Sequence, residues 1–295
     1  LNCSADSIGG PGGLVPIDDE ALLATARVAT GLDDFGPGEF RDGLRRFVGA
    51  LNDEGRLHVV GRLLVRAELL RFLQNRLRIE DLLRRSPAVL DAPIDRPIVI
   101  TGLGRSGTSL LHELLAQDPV HRSPRAWEVM YSVPPPQAST YSTDARIALA
   151  QRDVTAWEKV APEYRTMHEN GGDVPHECIF LMGHSFRSAY WSGTYPVPSY
   201  SQWLATADLG PAYAYHRRQL QLLQWRYAGA RWVLKAPSHL GTLPALLAAY
   251  PDLRLVVTHR DPPGDVRGGV LSRRQPPRHR LLRRNSPHLG RHAAA

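Results

Sequence analysis

The chain has 295 residues, of which 43% are hydrophobic, so it can bury one large α/β core or two modest ones. Its net charge of +7 lies entirely in residues 263–295, where eight arginines accompany one acidic residue and no aromatic side chain, which argues against a nucleic-acid-binding protein. Two cysteines, Cys3 and Cys178, provide neither a disulfide framework nor a metal-binding spacing.

The N-terminal residues carry no recognisable targeting signal, and we expect a soluble, cytoplasmic protein. Residues 1–17 have neither a basic start nor an apolar stretch, and no run of about 18 apolar residues occurs in the chain. The scarcity of cysteine fits a reducing compartment. Residues 1–17 are predicted to be disordered, and Leu1 in place of Met indicates a processed, truncated or alternatively started chain.

Residues 18–95 are predicted to form a helical cap region. Acidic residues at 18–20 precede an apolar run, as at the start of a helix, and apolar positions recur with helical spacing through 41–51 and 57–83. The many arginines of this region are interpreted as a solvated helix face whose aliphatic stems cover apolar surface.

A glycine-rich loop follows the apolar run Ile98–Ile100, and a helix-compatible segment follows the loop. Glycines allow the backbone to approach a ligand closely, and a helix N-terminus presents unpaired N–H groups at the positive end of its dipole. The loop therefore predicts an anion site, with phosphate as the first candidate. A glycine turn that only packs the helix on the strand is the alternative. The residues concerned are Gly102, Gly104, Ser106, Gly107, Thr108 and Ser109.

The spacing of Gly102 and Gly107 matches a nucleotide P-loop, but Thr108 occupies the position at which a nucleoside triphosphatase carries its lysine. Arg105 projects from the middle of the loop instead, and its fork of donors suits a sulfate or phosphate oxygen. A P-loop kinase remains an alternative, with Asp261 as a weak candidate for holding Mg²⁺.

Apolar runs alternate with predicted helices along residues 96–262. The predicted strands are Ile98–Ile100, Trp232–Leu234 and Leu253–Thr258, and helices are predicted near 110–115, 144–166, 212–227 and 240–250. This alternation predicts an α/β core with a P-loop-like parallel sheet flanked by helices. Ligands bind such sheets at the carboxyl ends of the strands, where the loop, Lys235 and Arg260 all occur.

Short motifs lie in order along the same region: Arg105–Leu111, Trp127–Glu128, Val133–Pro136, Glu177–Cys178, Arg231–Leu240, Tyr250–Asp252 and Thr258–Pro262. Together they resemble the bacterial sulfotransferases that use 3′-phosphoadenosine 5′-phosphosulfate and that are similar in these motifs to tyrosylprotein sulfotransferases. Several ordered motifs are more specific than one loop. The resemblance implies transfer of a sulfuryl group from that nucleotide to a hydroxyl of a small-molecule or lipid acceptor, without a metal ion.

The resemblance also implies roles for individual residues. Glu128 would deprotonate the acceptor hydroxyl, while Arg105, Lys235 and the loop amides would neutralise charge on the sulfuryl and leaving oxygens. Arg260 would bind the 3′-phosphate of the sulfuryl donor. The other positions that would bind the donor are Gly104, Arg105, Ser106, Gly107, Thr108 and Ser109.

The residue types leave other roles open for two of these positions. Glu128 could instead form a surface ion pair with Arg122 or Arg125. Lys235 could simply extend its ammonium into solvent.

Two further groups of side chains could serve an acceptor. His176 or Glu177 could contact it, and with His168 and Glu169 they fit no recognised metal-binding spacing. An aromatic-rich stretch could line an apolar acceptor pocket or form a plain core cluster. Its members are Tyr190, Trp191, Tyr195, Tyr200 and Trp203.

Residues 263–295 depart from the family pattern. Gly268 occupies the position of a serine that would help bind the 3′-phosphate, and the residues after it have no helical or strand period. We expect an aberrant, disordered Arg/Pro-rich tail that arose by truncation or frameshift. A catalytically impaired nucleotide-binding remnant is therefore the main alternative function, ahead of a P-loop kinase.

Overall fold

The computed structural model describes residues 11–160, 171–229 and 231–261, and within these ranges it contains twelve α-helices and four strands. The helices are α1 (Pro11–Leu14), α2 (Asp19–Thr30), α3 (Phe40–Glu54), α4 (Val59–Arg85), α5 (Thr108–Leu115), α6 (Ala126–Met130), α7 (Ala145–Val160), α8 (Cys178–Gly183), α9 (Ala189–Thr194), α10 (Pro198–Thr206), α11 (Gly210–Gln224) and α12 (Leu243–Ala249). The strands are β1 (Ile98–Gly102), β2 (His121–Arg122), β3 (Arg231–Lys235) and β4 (Arg254–Thr258).

The strands form one parallel sheet in the order β2-β3-β1-β4. Ile98 lies opposite Val233 on one side and Arg254 on the other, so β1 is interior. Val99 and Ile100 of this strand are buried, as expected for an interior strand of a parallel sheet. The predicted α/β fold, with a parallel sheet flanked by helices and a helical N-terminal region, is confirmed. Strand β2 was not predicted, since two polar residues have no strand pattern.

Helix α4 connects the helical region to the sheet. With 27 residues it is about 40 Å long. Its first part packs with α2, α3 and residues 186–200 in one hydrophobic cluster, while Ile79, Leu82 and Leu83 near its end pack in the cluster that covers the sheet. Each of the two clusters contains side chains from before and from after residue 95, so the packing does not separate a cap from a core at that residue. The predicted division at residue 95 therefore stays a sequence-based prediction.

Residues 11–17 pack against the helical region, whereas the composition of 1–17 indicated disorder. Val15 and Ile17 are buried. The side chain of Arg62 on α4 donates to the Val15 carbonyl at 2.7 Å, and Asn52 on α3 donates to that of Ile17 at 2.9 Å. These partners are distant in sequence, so local composition does not reveal them. Residues 1–10 lie outside the described residues.

The aromatic stretch between 190 and 203 belongs to the core around α3 and α4. Tyr190, Trp191, Tyr195 and Tyr200 are each at most 4% exposed, and the Trp191 ring centroid lies 4.8 Å from that of Phe47. The structure thus supports the core cluster rather than an acceptor pocket made of these rings.

Other predictions fall partly or wholly outside the described residues. The predicted helix 144–166 corresponds to α7 as far as Val160, and the rest lies in the undescribed range. The tail 263–295 with Gly268, and the residues His168 and Glu169, also lie there. The predicted helix 240–250 is divided into a 3₁₀ turn at Pro237–Thr242 and α12. None of the helices in the described ranges is both long and apolar enough to cross a membrane.

Candidate active site

The loop between β1 and α5 has a backbone that only glycine supports at two positions. At Gly102, φ is +150°, and an added Cβ would lie 2.4 Å from Oγ1 of Thr258, so close packing against β4 excludes a side chain. At Gly107, φ is +99°. An added Cβ at Gly104 or Gly107 would meet nothing within 4 Å, so the space above the loop is open.

Helix α5 begins directly after this loop with an uncapped end. Gly107 is its N-cap residue, and no side chain in the described part of the chain caps the helix. The Ser106 hydroxyl, which is near enough in sequence to do so, donates to the Leu103 carbonyl at 2.6 Å and contacts Oγ1 of Thr258. The first amides of α5 are therefore left for a ligand, at the positive end of the helix dipole.

A cleft of about 370 Å³ opens above this helix end. It collects most of the residues that the sequence predicted to bind the sulfuryl donor, together with Glu177. Its lining is Gly104, Arg105, Gly107, Thr108, Ser109, Leu110, Glu177, Pro237 and Arg260. Ser106 is absent from this described lining because its hydroxyl is directed to Leu103 and Thr258. The roles of these residues stay predictions.

Lys235 lies at the carboxyl end of β3 and is 3% exposed. Its Nζ donates to Oγ of Ser109 at 3.2 Å and to Oε1 of Glu177 at 2.5 Å. Lys235 is not among the described residues that line the cleft, but its ammonium contacts two that are, Ser109 on the first turn of α5 and Glu177, and it does not extend into solvent. A compact ammonium at this place can approach a single anionic oxygen.

Glu177 is the cleft residue about whose role the sequence indicates least. It is the N-cap residue of α8, and this position orients its carboxylate toward Lys235. The sequence marked it only as a possible acceptor contact within a two-residue motif. The partner that defines its place is 58 residues away, so no local pattern reveals the pair.

Glu128 lies on α6 and is fully buried. Its Oε1 accepts from Arg122, and its Oε2 accepts from the backbone N–H of Arg125 at 2.8 Å. Arg122 also donates to the Leu223 carbonyl at 2.6 Å. The structure therefore shows an ion pair with Arg122, buried rather than at the surface, and Glu128 is not among the described residues that line the cleft.

Two more groups shape the electrostatics of the cleft. Arg260 donates to the Arg105 carbonyl at 3.2 Å, so two guanidinium groups border its mouth. His112 on α5 is buried, with Nε2 3.2 Å from the Val233 carbonyl. Burial and the charge of Lys235 lower the pKa of His112 to about 3, which keeps its ring neutral. Among the described residues, no group of three or more acidic, His or Cys side chains could hold a metal ion.

A parallel sheet with an uncapped helix end and nearby cations at its carboxyl edge is the arrangement by which α/β proteins typically bind an anionic ligand. Residues 97–277 match the model of the sulfotransferase family, and the chain belongs to that family. Two curated relatives are omega-hydroxy-beta-dihydromenaquinone-9 sulfotransferase Stf3 of Mycobacterium bovis and of Mycobacterium tuberculosis. Each is 26% identical over 178 residues, which cover 57% of this chain but 42% of the relative, so the chain matches less than half the length of either.

Two crystal structures of mycobacterial sulfotransferases share the fold. STF1 from Mycobacterium tuberculosis H37Rv superposes with a TM-score of 0.74 at 38% identity, over 83% of this chain and 68% of that one. STF9 from Mycobacterium avium gives a TM-score of 0.77 at 32% identity, over 90% of this chain and 66% of that one.

Proposed function

We propose that the protein transfers a sulfuryl group from 3′-phosphoadenosine 5′-phosphosulfate to the hydroxyl of a small-molecule or lipid acceptor. The observation that carries the proposal is the convergence of Arg105, Arg260 and the uncapped end of α5 on one cleft. The same cleft contains the carboxylate of Glu177, to which Lys235 donates from behind the lining. The name of the Stf3 relatives refers to a hydroxylated menaquinone-derived acceptor, which supports a lipid as one acceptor class.

The residues present fit an elongated anion with two charged groups. The open space above Gly104 and Gly107 would receive the phosphosulfate against the amides of α5, with Arg105 and Lys235 beside it. Arg260 at the mouth would bind the 3′-phosphate. When bound, the donor supplies a sulfuryl group whose bond to the bridging oxygen breaks as a bond to the acceptor oxygen forms.

The chain would contribute positioning and electrostatics to this transfer. Lys235 and Arg105 stabilise negative charge on the oxygens around sulfur, and a carboxylate takes the acceptor proton. Two carboxylates compete for that role. Glu128 is the residue implied by the family resemblance, whereas Glu177 lines the cleft and lies beside Lys235. Once Lys235 turns to an anionic ligand, Glu177 loses its partner and is available to accept a proton, which favours Glu177.

Calorimetry with 3′,5′-adenosine bisphosphate, the nucleotide product, tests the donor site. We expect micromolar binding to the full chain and a loss of about ten- to a hundredfold in Arg260→Ala, since a hydrogen bond to a charged group contributes about 1.5–3 kcal/mol. Arg254→Ala, at the exposed opposite end of β4, is the matched control and should bind normally. Turnover is then measured with a radiolabelled sulfuryl donor.

The result that overturns the proposal is the absence of nucleotide binding, which would support a catalytically impaired remnant of the family. Magnesium-dependent hydrolysis of ATP by the same preparation would instead favour the P-loop kinase.

A further inference from the structure

A second cavity, of about 550 Å³, lies next to the cleft and is larger than it. Its walls come from the end of α8, the start of α9, α10 and the segment from Ser238 to Ala245. The lining combines apolar side chains, including Met182, Leu204, Leu209 and Ala245, with polar residues. The polar part contains Arg187, which donates to the Asp208 carbonyl at 2.8 Å. A cavity of this size and character is typical of a site for a small apolar ligand.

The cavity and the cleft share two walls. Pro237 lines the cleft, and the next residue, Ser238, lines the cavity. Helix α8 likewise begins at the cleft beside Glu177 and presents Met182 to the cavity, about 7.5 Å further along its axis. A molecule with its hydroxyl at Glu177 therefore has this cavity within reach of its body.

The wall between the two spaces is held by buried hydrogen bonds. The Tyr213 hydroxyl lies 2.7 Å from Nδ1 of His239 and 2.6 Å from Oγ1 of Thr242, and so links α11 to the middle and the last residue of the 3₁₀ turn. Thr101 on β1 donates to the Ala236 carbonyl at 3.0 Å. These contacts preform the cavity before any ligand enters, which lowers the entropic cost of binding.

We propose that this cavity binds the alkyl chain of the acceptor, and that the acceptor is therefore an aliphatic alcohol rather than a phenol. No side chain in the described lining is aromatic, so a phenolic ring would find no ring to stack on. The small aliphatic side chains suit a flexible hydrocarbon instead. The assignment rests on the proposed function, because it assumes that the acceptor hydroxyl meets Glu177.

Primary alkanols of increasing length, from butanol to dodecanol, test the assignment by calorimetry on the full chain without nucleotide. Each buried methylene contributes about 0.8 kcal/mol, so we expect affinity to rise about fourfold per carbon until the cavity is full. Phenol with a short substituent should bind no better than butanol.

Two substitutions on the same helix separate the cavity from the surface. Ala245→Phe places a ring in the cavity, whereas Ala248→Phe adds the same ring at an exposed position of α12. We expect Ala245→Phe to lose the dependence on chain length, while Ala248→Phe retains it and both bind adenosine bisphosphate normally. Ala205→Phe, at an exposed position on the opposite wall, serves if Ala245→Phe does not fold.

The outcomes separate this assignment from the proposed function. If wild type shows no gain with chain length, or if all variants bind dodecanol equally, the cavity assignment is wrong even when nucleotide binding and turnover are present. Chain-length-dependent binding that Ala245→Phe abolishes supports the assignment of the cavity. If the same protein does not bind the nucleotide, the proposed sulfuryl transfer is wrong, but the cavity assignment stands as a site for an alkyl chain.

Discussion

Lys235 and Glu177 form an ion pair at the cleft, and the proposed chemistry depends on it. Lys235 is the last residue of β3 and Glu177 is the N-cap residue of α8, and the pair is largely shielded from water. Breaking a shielded pair is costly unless a new partner replaces the lost one. An anionic ligand beside Ser109 would provide that partner for Lys235, so ligand binding and release of Glu177 are coupled.

Replacement of Lys235 tests the electrostatic part of the proposal. We expect Lys235→Ala to lower kcat about a hundredfold or more, because one preorganised donor contributes about 3 kcal/mol to the transition state. Arg105→Ala should behave similarly. Turnover is measured with a radiolabelled sulfuryl donor, and circular dichroism verifies folding. Lys159→Ala, at the other lysine and exposed on α7, is the control. Near-normal turnover of either cleft variant would remove that residue from the mechanism.

The two candidate bases are distinguished by parallel amide substitutions. We expect Glu177→Gln to abolish turnover while binding of adenosine bisphosphate persists. Glu128→Gln weakens a buried pair with Arg122 and should lower the free energy of unfolding by about 3 kcal/mol, as measured by urea denaturation. If Glu128→Gln keeps its stability and loses all turnover while Glu177→Gln stays active, Glu128 is the base.

The loop and α5 together form the element that we propose binds the phosphosulfate. Gly102 is needed because β4 lies against it, and Gly107 because its backbone is left-handed just where the helix begins. The resulting geometry leaves the first amides of α5 pointing into the cleft. His112 then anchors the same helix to β3 through the Val233 carbonyl.

Gly107→Ala separates backbone strain from space at the loop. A Cβ there meets no atom within 4 Å, so the expected cost of about 1–2 kcal/mol comes from the positive φ alone. We expect the substitution to weaken adenosine bisphosphate binding in calorimetry. Gly31→Ala, at φ +69° and equally open, should cost similar stability without affecting binding. Equal nucleotide affinity in both variants would show that the loop conformation is not required.

The stability of the whole molecule depends on pH through several histidines that burial keeps neutral. The pKa is lowered to about 3 for His112, His184 and His216, and to about 4 for His239, in each case chiefly by burial. In the unfolded chain the same rings titrate near pH 6.5. The unfolded state therefore binds more protons than the native state between about pH 6.5 and 3.

Acid should destabilise the protein in that window. Stability is fully present above pH 6.5, and as the pH falls toward 4 each neutral histidine removes about 1.4 kcal/mol per pH unit from the free energy of unfolding. Urea midpoints measured from pH 7 to 4.5 should decrease steadily. His112→Gln, which can still donate to Val233, should make the decrease shallower. A midpoint that does not change with pH would contradict this account.

Three strands and the loop could be predicted because their signals are local. Each of β1, β3 and β4 contains a run of three apolar residues, namely Ile98–Ile100, Trp232–Leu234 and Leu255–Val257, and the loop is defined by glycine spacing. Lys235 was recognisable because lysine is rare in a chain rich in arginine. Strand β2 escaped prediction because it consists of two residues that pair only with β3.

The amino-acid sequence by itself determined the class of fold and the sulfotransferase family, and it predicted where an anion site would lie. Strand runs, helix starts and ordered motifs are all set by neighbouring residues. Only the tertiary structure decided which carboxylate faces the cleft, that the aromatic stretch belongs to the core, and that an aliphatic cavity lies beyond Pro237. These depend on contacts between residues far apart in the chain, and packing, not local pattern, sets which side chains meet.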